Sequence, residues 1–107
     1  MKQIAPAALA AWLADGSRAK PLLLDVREPW EFQTAQLEGS TLLPLRELPA
    51  RFGELDANAE TVVICHHGGR SMQVAMFLEK NGFSKVHNLA GGVDAWSRSV
   101  DPAVPLY

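Results

Sequence analysis

The sequence predicts an α/β fold, a mostly parallel sheet with helices packed on both faces. Three observations carry that expectation. Short apolar runs without polar alternation, "PLLLDV" at 21–26 and "TVVIC" at 61–65, suit strands buried on both sides. Helix-period patterns separate such runs, most clearly from Ser71 to Asn81. Strand and helix then alternate along the chain, with no internal repeat, linker or low-complexity tract. At 107 residues the chain is near the commonest domain size, so one domain spanning 1–107 is expected, with core enough to fold without staples.

The elements follow in order. "MKQIAPAALAAWLADG" has a lysine before an alanine-rich stretch, but Pro6, Trp12 and Asp15 interrupt it as a signal peptide. It reads instead as a helix opened by Pro6, with Leu9, Trp12 and Leu13 on one face and Asp15-Gly16 closing it. "PLLLDV" is the next strand, and "EPWEF" a helix start with Pro29 in its first turn and acidic side chains around it. "STLLPL" at 40–45 reads as a strand and "RELPARFGEL" as a short, broken helix. "TVVIC" is the clearest strand. The following helix carries Met72, Ala75 and Met76 on one stripe and Val74, Phe77 and Leu78 on another, an apolar surface wide enough to predict hard packing against a sheet. Gly82 stops it as a C′ residue. "KVHNL" at 85–89 is a further strand, and "GGVDAWSRS" a tight turn running into a helix. The only Pro-rich segment is the tail "DPAVPLY".

Composition excludes several classes. With 48% hydrophobic and 21% charged residues and a net charge of −2, the chain is not disordered, fibrous or membrane-spanning in character. The mildly acidic balance argues against nucleic-acid and anionic-membrane partners, so an anionic ligand must be attracted by a local arrangement. One cysteine cannot form an internal disulfide, and a cytoplasmic location is expected.

The stretch "VVICHHGGRSM" at 62–72 concentrates the chemistry. Functional groups in such sheets collect at the carboxyl ends of strands, and Cys65 ends the most apolar run. Gly68 and Gly69 allow positive φ and let successive backbone N–H groups turn inward, which forms an anion-binding concavity. A helix starting near Arg70-Ser71 adds its free N–H groups and dipole. A thiol centred in that cradle is expected to ionise more readily than free cysteine, whose pKa is about 8.5. Arg70 adds a permanent cation whose fork suits oxyanions. The set reads as an activated thiolate beside a place for a small anionic substrate, with His66 and His67 at the pocket mouth.

Two plainer readings compete. A lone cysteine is commonly just a small buried hydrophobe, but the strand end, the glycine pair, the arginine and the following helix all favour a nucleophile. Cys65, His66 and His67 are all good metal ligands. Neighbours in one tight loop rarely converge on a tetrahedral ion, however, and His87 is isolated, so no metal is expected and no cofactor is called for.

Taken together, "LLLDVREPWEF" at 22–32, "CHHGGRS" at 65–71, "GF" at 82–83 and "LAGGVDAW" at 89–96 resemble the ordered motifs of single-domain rhodanese-like proteins. The resemblance runs from about Ile4 to the tail. It implies a central parallel five-stranded sheet flanked by helices, and sulfurtransfer. The loop cysteine takes a sulfane sulfur from a donor such as thiosulfate, becomes a persulfide, and passes the sulfur to cyanide or a thiol, with a thioredoxin-like or sulfur-carrier protein as a further acceptor. By the same resemblance Cys65 matches the persulfide-forming residue, His66, His67, Gly68, Gly69 and Arg70 the substrate-binding loop, and Ser71 the residue opening the next helix. Asp25 and Arg27 match a motif whose role is structural ion pairing, and Gly91 and Gly92 the turn before the last helix. One departure is "AQLEGS" at 35–40, where the family often has Gly-His-Ile-Pro-Gly-Ala; Gln36 can still donate a hydrogen bond and Gly39 is kept.

Three functions stand against one another. A sulfurtransferase needs the Cys65, Gly-Gly and Arg70 set, whereas a non-catalytic binding or regulatory module of the same fold does not. A phosphatase or arsenate reductase on this scaffold needs a longer loop. Cys65 to Arg70 inclusive is six residues, one fewer than related cysteine-phosphatase loops, and a cradle for thiolate and persulfide sulfur is smaller than one enclosing phosphate.

Overall fold

Five strands form one sheet in the computed structural model, which describes residues 1–107. In chain order the elements are β1 (Lys2–Ile4), α1 (Pro6–Ala14), β2 (Leu22–Asp25), α2 (Pro29–Thr34), β3 (Thr41–Leu42), α3 (Leu48–Arg51), β4 (Thr61–Ile64), α4 (Gly69–Lys80), β5 (Val86–Leu89) and α5 (Gly92–Ser99). The strand order is β1-β5-β4-β2-β3, and every pairing is parallel.

The apolar runs lack alternation because each strand feeds two cores. Leu23, Val62, Ile64 and Leu89 point to one face, where Leu9 and Trp12 of α1 meet Val93 and Trp96 of α5. Leu24, Val26, Val63, Cys65 and Val86 point to the other, beneath Val74, Ala75 and Leu78 of α4 and Leu48 of α3. Each such aliphatic side chain contributes roughly 2 kcal/mol by leaving water. The layers therefore hold the carboxyl ends of β2, β4 and β5 rigidly, and the loops that follow those ends form the site.

The structure modifies several sequence expectations. β1 is a fifth strand that the residue pattern did not reveal. It is three residues long with one partly buried side chain, and it is a strand because its backbone pairs with β5, Ile4 opposite Leu89. The strand expected over 40–45 shrinks to Thr41–Leu42. Leu43 and Leu45 still donate to Asp25 and Val26 carbonyls, but these are adjacent at the end of β2 where a regular parallel ladder uses every second carbonyl, and the chain turns into a 3-10 helix at Leu45. The segment 46–55 is broken as expected, with α3 between two single 3-10 turns, Leu45–Glu47 and Phe52–Glu54. α4 starts two residues earlier than expected and buries Ser71, Val74, Ala75 and Leu78. That is an i, i+3, i+4, i+7 stripe, so Met72 and Met76 lie one position round the helix and are exposed. Gly82 follows α4 at φ +93°, the left-handed geometry expected of a C′ residue. Gln36 is exposed, two residues past the end of α2, and donates back to Phe32 O of that helix. No helix is long and apolar enough to cross a membrane.

Candidate active site

Cys65 follows β4 directly and is 1% exposed. Its Sγ lies 3.0 Å from the Gly68 N–H, which donates to it, and 3.2 Å from Ser71 Oγ. Gly68 holds φ +101° as the N-cap of α4, a turn that aims its amide back at the sulfur. Met72 is the first α4 residue to donate to a backbone carbonyl, that of Gly68, so the amides of the opening turn keep the positive end of the helix beside the thiol. Ser71 Oγ also meets Asn88 Oδ1, and its single hydrogen serves one partner at a time.

A second glycine turn clamps this loop from outside. Gly91 and Gly92 adopt φ +75° and +62°, after which Val93 N–H donates to Cys65 O and Asp94 N–H to His66 O. A Cβ on Gly92 would stand 2.3 Å from Cys65 O and 2.5 Å from His66 O, so only glycine lets α5 approach. Asn88, 1% exposed in β5, bonds the Gly68 carbonyl and Gln3 through its Nδ2. The loop is thus fixed by two neighbouring strand ends.

Arg70 has a protein partner that the sequence reading did not anticipate. Its Nη1 and Nη2 grip the two oxygens of Glu31 at 2.7 and 2.9 Å. That fork holds the Glu31 carboxyl down at about 2 and raises Arg70 in turn. Two of the five guanidinium N–H groups are used, and three remain for a ligand. Glu31 is 4% exposed, and it also accepts from the Glu28 amide and from the Tyr107 hydroxyl. Beneath it Arg27 and Asp25, both fully buried, form the structural pair that the resemblance implied, at 2.7–3.1 Å.

His66 and His67 form part of an aromatic stack. Their rings are 3.9 Å apart at 34°, and the other face of His66 lies 3.8 Å from the Tyr107 ring at 10°. His66 Nε2 is buried without a hydrogen-bond partner, and burial, then the nearby His67, lowers its pKa. His67 is exposed. Asp94 brings a third donor atom within 4.8 Å of both histidines.

Beside Arg70 a hollow of about 360 Å³ opens between Val26, Glu28, Leu45 and Arg46. The largest hollow, about 530 Å³, is at the opposite end of the sheet, against Leu13, Lys20 and Leu37, and holds no nucleophile. Sequence reasoning thus found the loop and missed Glu31, Asn88 and Tyr107. The only available signal was for Glu31, which stands three residues after Glu28 in a capping-box spacing.

The two-sided sheet, the buried sulfur at a strand end and the clamped glycine loop define a class. Residues 6–99 match the rhodanese-like domain model, and the chain belongs to the rhodanese-like family. It is 45% identical over 89 residues to a rhodanese-like/PpiC domain-containing chloroplastic protein of Arabidopsis thaliana, an alignment covering 79% of this chain and 30% of that protein. It is 32% identical to the thiosulfate sulfurtransferase GlpE of Pseudomonas entomophila, covering 94% and 88%. A rhodanese-related protein of Thermoplasma volcanium superposes over the full length of both chains with a TM-score of 0.85 at 29% identity. The family, and GlpE by its name, associate the chain with sulfur transfer in general.

Proposed function

We propose that the protein is a sulfurtransferase in which Cys65 carries sulfur as a persulfide, loaded from a small anionic donor of the thiosulfate type. One observation carries this reading: the lone thiol ends β4 with the Gly68 N–H 3.0 Å from its sulfur at the start of α4. The Cys65 thiolate attacks the outer sulfur of thiosulfate. A new S–S bond forms, the bond to the sulfite sulfur breaks, and sulfite leaves with the electron pair. The product is a Cys65 persulfide anion, whose charge the Gly68 amide and the helix end stabilise. A nucleophile, cyanide or a thiolate, then attacks the terminal sulfur, and Cys65 leaves as thiolate.

The loop residues divide the work. Gly68 and Gly69 shape the turn, and Ser71 offers its hydroxyl to the sulfur. Arg70 presents its three free N–H groups to the donor, and His66 and His67 border the entrance. We read the chain as one rhodanese-like unit acting in a reducing compartment such as the cytoplasm, where a lone thiol persists. A thioredoxin-like or sulfur-carrier protein fits the acceptor role as well as cyanide does. Phosphatase chemistry is disfavoured by the six-residue span from Cys65 to Arg70.

The test is intact mass. Thiosulfate should add one sulfur atom, about 32 Da, and cyanide or dithiothreitol should remove it. Cys65→Ser should fold, gain no mass and transfer no sulfur. Sulfur transfer surviving in that variant overturns the reading, as does Cys65-dependent aryl phosphate hydrolysis without sulfur loading.

A further inference from the structure

The hydroxyl of Tyr107 joins the buried Asp25–Arg27 pair to the Glu31–Arg70 pair at the mouth. Arg27 Nη1 donates to Tyr107 Oη at 2.7 Å, and Oη donates to Glu31 Oε2 at 2.8 Å. The direction is forced, because arginine has no acceptor and an ionised carboxylate has no donor. Glu31 Oε2 is the same oxygen that receives Arg70 Nη2, so it is held from two sides. The phenol ring packs face-on to His66 and edge-on to Trp30, 5.8 Å away at 80°. The tail that carries it is anchored in the core by Val104, 8% exposed, whose carbonyl accepts from Ser97.

We propose that Tyr107 is a positioning residue for the sulfur-transfer site, fixing Glu31 and, through Glu31, the guanidinium of Arg70 beside Cys65. The proposal rests on the reading of Cys65 as the reacting atom. Without the hydroxyl, Arg27 Nη1 keeps only a 3.3 Å contact to the Glu31 carbonyl, and Glu31 Oε2 loses the donor that holds it on the side away from Arg70. A carboxylate oxygen held only by Arg70 no longer fixes that guanidinium, whose side chain is 37% exposed and free to turn to water. An anionic donor then loses a fixed cation, and a neutral reagent does not. Burial lifts the phenol to about 12, so it stays a donor through the neutral and mildly alkaline range.

Cys65 is the only thiol and Tyr107 the only tyrosine, so each can be read directly. Alkylation of Cys65 by iodoacetate and by iodoacetamide at one pH compares an anionic with a neutral reagent of nearly equal size. Tyr107→Phe keeps the ring stack and should lower the iodoacetate-to-iodoacetamide rate ratio about three-fold, with the iodoacetamide rate unchanged within about two-fold. The KM for thiosulfate should rise by a similar factor with kcat retained. In a Glu31→Gln background, Tyr107→Phe should have no further effect, because its path to Arg70 is already cut. If Tyr107→Phe does not fold, ultraviolet titration of the phenol remains: Glu31→Gln should lower its midpoint, and an unmoved midpoint overturns the link. A ratio unchanged or raised in Tyr107→Phe, or a full effect persisting beside Glu31→Gln, also overturns it. A protein that never takes up sulfur would sink the Cys65 reading and leave the alkylation ratio to decide this one.

Discussion

Arg27 and Arg70 each grip a carboxylate with a fork and lie on opposite sides of Tyr107 and Glu31, yet they do different work. Arg27 is fully buried and its nitrogens all end on acceptors: Asp25, the Tyr107 hydroxyl, and the carbonyls of Glu31 and Ala35. Arg70 has a 37% exposed side chain and gives only two of its five N–H groups to Glu31. Ion pairing does not separate the two. What separates them is how many donors are left over. A fully satisfied guanidinium can only hold structure, whereas a half-satisfied one held in place can still take a ligand.

The comparison breaks most visibly at Arg27. Arg27→Met removes the only cation bonded to a fully buried Asp25 and strands the carbonyl of Ala35. Breaking such a pair costs about 3–5 kcal/mol, a large part of the total stability of a small domain. Urea denaturation should show that loss. Adding Asp25→Asn should recover part of it, since the stranded charge is then gone. A loss below about 1 kcal/mol would mean that burial does not distinguish this arginine.

The difference between the two arginines also marks what could be read from sequence. Arg27 and Asp25 are two residues apart, and the Cys65 loop is contiguous, so both stand out in short motifs. The buried stripes of the strands were legible because a two-sided core removes polar alternation from each run. Glu31 and Arg70 are 39 residues apart, and Tyr107 and Glu31 are 76 apart. Only folding brings them together, and the Pro-rich tail has no periodicity to announce that its last side chain turns back to the loop. β1 was hidden for the same reason, since its strand character resides in backbone pairing with β5. Met72 and Met76 misled because an apolar residue one step off the buried stripe looks like core until the helix is docked.

Acid should separate the pairs next. The Glu31 carboxyl is held at about 2 against an ordinary 4.5, chiefly by the Arg70 fork. A depressed folded value means that its contribution is complete above about 4.5 and is lost as pH falls toward about 2. The contribution at stake is at most roughly 3 kcal/mol. Urea midpoints measured between pH 5 and pH 2, about the range that brackets the two values, should fall less steeply for Glu31→Gln than for the parent chain. Equal slopes would show that the pair contributes nothing to acid stability.

Arg70→Ala should cost less than either. Glu31 would keep the Tyr107 hydroxyl and the Glu28 amide, and an exposed guanidinium is partly screened, so about 1 kcal/mol is expected. Its larger signature should be functional, a raised KM for thiosulfate that Arg70→Lys does not restore, because an ammonium cannot reproduce the fork. A stability loss equal to that of Arg27→Met would make Arg70 a second structural arginine and end the distinction.

Arg51 extends the series to an arginine whose partners are exposed as well. It has more carboxylate partners than Arg70, since it bonds Glu47 at 2.9 Å and Glu54 at 3.1 Å. Its side chain is about as exposed as that of Arg70, at 42% against 37%, but its partners' side chains are 39% and 60% exposed where that of Glu31 is 5%, and both lie on the same short stretch around α3. Water competes for every one of these bonds, and salt screens them, with a Debye length of about 10 Å at 0.1 M and about 3 Å at 1 M. Arg51→Ala should therefore lower the melting midpoint less than Arg70→Ala does, and raising the salt should erase the difference between Arg51→Ala and the parent. The Arg27→Met defect should persist in salt, because its cause is a charge sealed away from ions. A salt-resistant loss at Arg51 would show that partner number, and not burial with full satisfaction, ranks the arginines of this fold.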